Sequence, residues 1–147
     1  MRGIIFSFFL FSVVYLSSLQ ALASFAQPNW TITPGTLCTE SDPNFDNYDY
    51  PEQIARCKRN VGTQEKQAVA HAYGDLPKSE WSQYEFDHLI PLCAGGSDNF
   101  DNIWPQPIAD AHEKDKLEDE ICKAMQDGSL LQADAVKKVH DWFTERF

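Results

Sequence analysis

Four cysteines behind an apolar leader set the tightest bound on what this chain can fold into. Arg2 is followed by an almost unbroken apolar run, Ile4 to Leu16, that closes on Ala21-Leu22-Ala23. A basic start, a run of that length and a small-x-small end form the pattern of a secretory signal peptide over residues 1–23, with cleavage after Ala26 as the second choice. The run is shorter than the ~20 apolar residues that a membrane span needs. Cys38, Cys57, Cys93 and Cys122 all lie beyond this leader. In a secreted or periplasmic domain an even cysteine count reads as a disulfide framework. Three connectivities are open to four cysteines and the sequence does not choose among them. Pairing of neighbours, Cys38–Cys57 and Cys93–Cys122, closes the shortest loops and is the expected arrangement. A four-cysteine zinc site is the rival, but it calls for C-x-x-C pairs and none is present.

At 147 residues the chain has room for one ordinary domain. Hydrophobic residues make up 43%, which is a globular rather than a disordered composition. The formal net charge is −10, and loss of the leader removes only Arg2 and makes it one unit more negative. Such a balance argues against coating nucleic acid or an anionic membrane by bulk charge, though not against an enzyme with a local basic strip and a bound cation. The charge is in fact uneven. Residues 54–78 carry Arg56, Lys58, Arg59, Lys66 and Lys78 against Glu65 and Asp75, whereas residues 85–120 are strongly acidic. The plain reading of both stretches is a solvated face.

Turn formers crowd residues 24–53 (Pro34-Gly35, Asp42-Pro43-Asn44), so an irregular segment pinned by Cys38 is expected there, followed by the main domain over residues 54–147. Asn29-Trp30-Thr31 matches a glycosylation sequon, a pattern that most often arises by chance. Thr63 can cap a helix through Tyr73 that stops at Gly74, with Val69 and Tyr73 as its apolar stripe and His71 a surface or packing histidine. Residues 84–90 alternate as a strand does, and a second short strand, Asn102-Ile103-Trp104, is stopped by Pro105. A helix from Ala109 to Gln126 follows, with a stripe of Leu117, Ile121, Ala124 and Met125. Ser129 can cap a last helix to Arg146 that buries Leu131, Ala135, Val139 and Phe143.

Chemistry concentrates in the middle of the chain. Asp87-His88 lies on the first strand, Gly95-Gly96 lies in the loop, Asn102 opens the second strand and His112 lies in the helix. A phosphodiester hydrolase needs a group to deprotonate water and a cation to stabilise the leaving oxygen, and carboxylate and imidazole are ordinary ligands for a divalent cation. Taken in order, Asp87-His88, the double glycine, Asn102 and His112 resemble the HNH branch of the ββα-metal endonucleases. Trp104-Pro105-Gln106 and Lys114-Asp115-Lys116-Leu117-Glu118 are similar to pieces of a subgroup of exported bacterial HNH proteins, and the likeness covers most of residues 38–145. The ordered set is specific; any one member alone is weak.

The resemblance implies an α+β domain with a small ββα-metal core, flanking helices and disulfide staples. It implies a divalent-metal-dependent endonuclease acting on DNA first and RNA second. His88 would be the general base and Asn102 would hold the hairpin. Asp87 and His112 would bind the cation, with Mg²⁺ the first choice and Mn²⁺ or Zn²⁺ the others. On a helical wheel Glu113 lies nearer the apolar stripe than His112 and is the alternative ligand. Arg56, Lys58, Arg59 and Lys66 would grip phosphate; no membrane or protein partner is implied. Each residue also has a plainer role: Asp87 orienting a half-buried His88, Asn102 closing a turn, Trp104 in the core, Lys114 and Asp115 on the helix surface. The rival functions are an inactive HNH-like, disulfide-stapled binding module and a secreted metallohydrolase of another phosphoester.

Overall fold

Two pairs of short antiparallel strands and three α-helices make up residues 27–146, the part of the chain described by this computed structural model. The expected leader lies outside the described residues. The first pair is β1 (Phe45–Asp49) and β2 (Ile54–Cys57). Helix α1 (Thr63–Ala72) follows, then β3 (Tyr84–His88) paired with β4 (Ile103–Pro107). Helix α2 (Ile108–Gln126) runs directly out of β4, and α3 (Gln132–Arg146) ends the described chain. The architecture is α+β with two two-stranded sheets.

Strand β1 sits in the stretch expected to be irregular, and the expected boundary at residue 54 cuts through the β1–β2 hairpin. Asn47 and the acids Asp46 and Asp49 hide the strand from a pattern search, since Asn and Asp are poor strand formers. Here they are held by pairing, with Tyr48 opposite Ala55 and Asp49 opposite Ile54. The chain before it is also ordered. Leu37 bridges to Gly96, and the Cys38 amide donates to the Gly95 carbonyl at 2.8 Å, so the N-terminal segment lies along the glycine loop.

Strand β4 passes through Pro105 rather than stopping there, and the register explains how. The Leu89 amide donates to the Asn102 carbonyl at 2.7 Å, which makes that pair a hydrogen-bonded one. Pro105 opposite Phe86 and Pro107 opposite Tyr84 therefore occupy non-hydrogen-bonded positions. Their missing N–H groups face away from the partner strand and cost the ladder nothing.

The core gathers Val69 and Tyr73 from α1, Phe86 from β3, Ile103 and Trp104 from β4, Ile121 and Met125 from α2, and Ala135, Val139 and Phe143 from α3. Trp104 meets Phe143 edge-on at 5.6 Å, a core role for that tryptophan. Helix α1 stops at Gly74, whose φ of +89° suits glycine. The last helix begins at Gln132, not after a Ser129 cap. Ser129 Oγ instead donates to the Ala124 carbonyl in the preceding turn, and Leu131 is left 56% exposed.

Both disulfides join neighbours: Cys38–Cys57 with Cα atoms 5.7 Å apart, and Cys93–Cys122 at 5.5 Å. The first ties the N-terminal segment to β2; the second ties the loop after β3 to α2. No helix among the described residues is long and apolar enough to cross a membrane. The two disulfides are consistent with a non-cytoplasmic protein.

Candidate active site

Strand β3 alternates Tyr84, Phe86 and His88 with Glu85 and Asp87, so its last two residues point to opposite faces. Asn102 fixes the loop that follows. Its side-chain oxygen accepts the Ile90 amide at 2.9 Å, and its nitrogen donates to the carbonyls of Ile90 at 3.0 Å and Ser97 at 2.7 Å. Asn102 lies in a 3₁₀ turn just ahead of β4 and is fully buried. The glycines allow the same closure. Gly95 has a φ of +80°, and a Cβ on Gly96 would stand 2.0 Å from the Ile90 carbonyl oxygen.

His88 is 2% exposed and held at both ring nitrogens. Nδ1 lies 3.2 Å from a guanidinium nitrogen of Arg59, and Nε2 lies 2.8 Å from Asp98 Oδ1. A guanidinium only donates, so Nδ1 accepts and Nε2–H donates to Asp98. The imidazole is thereby neutral, with its lone pair on the Arg59 side. Burial pushes its pKa below the ordinary value, against the opposing pull of the Asp98 hydrogen bond and the Asp87 charge. Asp98 is itself buried and anchored: its other oxygen accepts from Asn44 Nδ2 at 3.0 Å and from the Asn60 amide at 2.8 Å. The sequence reading missed Asp98. It lies in a loop ten residues beyond His88, where nothing local marks it.

Asp87 faces the helix. Its Oδ2 accepts from Lys114 Nζ at 2.6 Å, and Arg59 stands 3.5 Å from its Oδ1. Burial works to raise the Asp87 carboxyl, but the Lys114 charge and hydrogen bond outweigh it and hold the group below the usual range. Lys114 has no exposed side-chain surface. It also donates to the His88 carbonyl at 2.6 Å and to Glu118 one helical turn on. Burial disfavours its charged form, yet the two carboxylates more than compensate and hold its pKa above the ordinary lysine value. The expectation of a surface Lys114 is thus corrected. Ala111, Lys114, Ile121 and Met125 form the buried side of α2, and counting back seven from Ile121 reaches Lys114.

His112 and Glu113 lie on the outer side of that helix. His112 is 76% exposed beside Asp115, and Glu113 pairs with Lys116 at 2.7 Å. The partners of Asp87 are Lys114 and Arg59, while His112 stands by Asp115 and Glu113 by Lys116. The group of three His, Cys, Asp or Glu side chains close enough to share an ion among the described residues is Cys38, Asp42 and Cys57, whose two sulfurs are bonded to each other. A divalent cation held by Asp87 and His112 does not fit the residues present, because the Asp87 carboxylate already binds an ammonium.

The four basic residues part company. Arg56 pairs with Asp46 and Asp49, and Lys58 with Asp46 at 2.6 Å, within the β1–β2 hairpin. Arg59 sits at the His88–Asp87 centre and also donates to the Phe86 carbonyl at 2.8 Å. Lys66 of α1 lies 5.8 Å from the centroid of the Phe86 ring. Arg59, Asp87, His88 and Glu118 line a cleft of about 150 Å³, walled by Cys93 and Cys122. Arg59 also lines a groove of about 450 Å³, together with Lys66, Trp81, Phe86 and His112 among others.

The arrangement can hold an anion at Arg59 and present a neutral, oriented imidazole to it. Comparison with protein-family models, curated proteins and solved structures found no match to this chain.

Proposed function

We propose that this chain is an exported phosphodiester hydrolase of nucleic acid, an HNH-like nuclease built on the β3–β4–α2 unit, with His88 as its general base. The observation that carries this reading is the Asp98–His88–Arg59 chain. A buried carboxylate fixes the tautomer, and the lone pair on Nδ1 accepts from the Arg59 guanidinium, which lines the same cleft. A phosphate that draws Arg59 onto itself uncovers that lone pair for water. The water oxygen then bonds to phosphorus as its proton passes to His88 Nδ1, and the ester oxygen leaves with a proton from solvent. Arg59 neutralises the phosphate. The groove beside the cleft supports a nucleic-acid substrate, since it combines Arg59 and Lys66 with the rings of Trp81 and Phe86.

Supercoiled plasmid, single-stranded DNA and RNA incubated with the oxidised protein test the proposal. Cleavage of at least one, lost in His88→Ala with the melting temperature retained, is the expected result. A second reading, an HNH-like binding module without activity, draws on one observation: His88 is 2% exposed with both nitrogens occupied. Nucleic acid bound in the groove and left intact by the wild type would favour it.

A further inference from the structure

Lys114 Nζ is surrounded by three oxygens: Asp87 Oδ2 at 2.6 Å, the His88 carbonyl at 2.6 Å and Glu118 Oε1. Two carboxylates and a carbonyl are the hard oxygen donors that Mg²⁺ or Mn²⁺ takes. Here an ammonium has them. Its three N–H bonds match the three acceptors, and no part of its side chain reaches solvent. Helix geometry makes this possible. Lys114 and Glu118 stand one turn apart on the side of α2 that faces the end of β3, and Cys122, one turn further, is bonded to Cys93. The disulfide thus clamps the helix face that carries the ammonium.

We propose that the Lys114 ammonium, buried behind the Asp87 and Glu118 that line this cleft, is the resident cation of the site, occupying the position in which a divalent metal would neutralise Asp87, so that the site works without metal. A divalent ion cannot share those oxygens with an ammonium at hydrogen-bond distance, because like charges would meet at the same donors. Lys114 is a positioning residue: its donors are spent on the protein and it does not touch substrate. It offsets one unit of the charge carried by Asp87 and Glu118 and leaves Arg59 to receive the phosphate. The catalytic meaning rests on the hydrolase proposed above; the occupancy itself does not.

Titration of the oxidised chain with Mn²⁺, followed by electron paramagnetic resonance and by melting temperature, tests the occupancy directly. The wild type is expected to show no saturable Mn²⁺ binding and no upward shift in melting temperature with Mg²⁺ or Mn²⁺. Lys114→Ala vacates the oxygen cage and is expected to gain a saturable Mn²⁺ site, which Glu118→Gln in the same chain removes. Should Lys114→Ala fail to fold, the wild-type titration decides. Saturable binding to the wild type that Asp87→Asn abolishes would overturn the proposal. Plasmid cleavage separates it from the functional reading: the expected rate is the same in EDTA as in Mg²⁺. Cleavage that requires a divalent ion overturns the resident ammonium and leaves the hydrolase standing. No cleavage in either buffer overturns the hydrolase, and the Mn²⁺ titration still judges the ammonium.

Discussion

His88 carries the account at the scale of single residues, and its burial makes a signed prediction about pH. Asp98 and Arg59 touch the ring, Asp87 acts on it through its charge, and Glu65 of α1 adds a further carboxyl near Asp98. The folded imidazole binds its proton less readily than the unfolded one, whose pKa is about 6.5. Below about pH 6.5 the unfolded chain therefore takes up protons that the native state refuses, and stability falls as pH drops towards the lower folded value. An NMR titration of the His88 ring should place its midpoint below about 6.5; a midpoint above that value would contradict the burial argument. Asp87 and His88 were legible in the sequence because they stand side by side within an ordered motif. Lys114 was not, because a charged residue among Asp and Glu reads as surface until its partners are seen. Arg59 was noticed only as one base in a basic stretch, and folding separates it from Arg56 and Lys58. Arg59→Ala should therefore weaken nucleic-acid affinity several-fold, while Arg56→Ala, which removes a charge already paired with Asp46 and Asp49, should change it little. Filter binding of labelled DNA reads both, and equal losses would contradict the division.

Among the elements, the loop between β3 and β4 depends on one side chain. Asn102 satisfies the Ile90 amide and the carbonyls of Ile90 and Ser97, all in buried surroundings. Leaving such groups unpaired costs about 1–3 kcal/mol each before relaxation. Asn102→Ala should accordingly lower stability by roughly 3 kcal/mol, measured by urea unfolding. A loss under about 0.5 kcal/mol, the level of an ordinary surface substitution, would contradict this role. Strand β3, helix α1 and the long helix α2 were readable from their periods and stops. Strand β1 was hidden by its Asn and Asp content, and β4 ran on because the register of Pro105 and Pro107 is a property of the pairing, not of the local sequence. Leu131 was expected inside and lies outside, since the turn before α3 is closed by Ser129 bonding backwards.

For the whole molecule, the net charge of −10 and the narrow basic surface set how nucleic acid is held. With Arg56 and Lys58 neutralised inside their own hairpin, few cations remain to meet phosphate near the cleft. At about −0.9 in log affinity per log salt for each phosphate, the dependence should be shallow, corresponding to roughly two to four contacts. A steep slope would mean a binding surface elsewhere on the molecule. The Cys93–Cys122 bond lies in the wall of the cleft, and Cys57, bonded to Cys38, stands two residues ahead of Arg59 in the chain. The central claim is that His88, buried and neutral, takes the proton of the attacking water. It is tested most directly by the pH profile of kcat/KM for cleavage of a short oligonucleotide by the wild type and by His88→Ala. The wild type should lose activity as pH falls, with a midpoint below about 6.5, and His88→Ala should be slower by about 10²–10⁴-fold with that limb gone. A variant that cleaves at the wild-type rate with the same acid limb would contradict it.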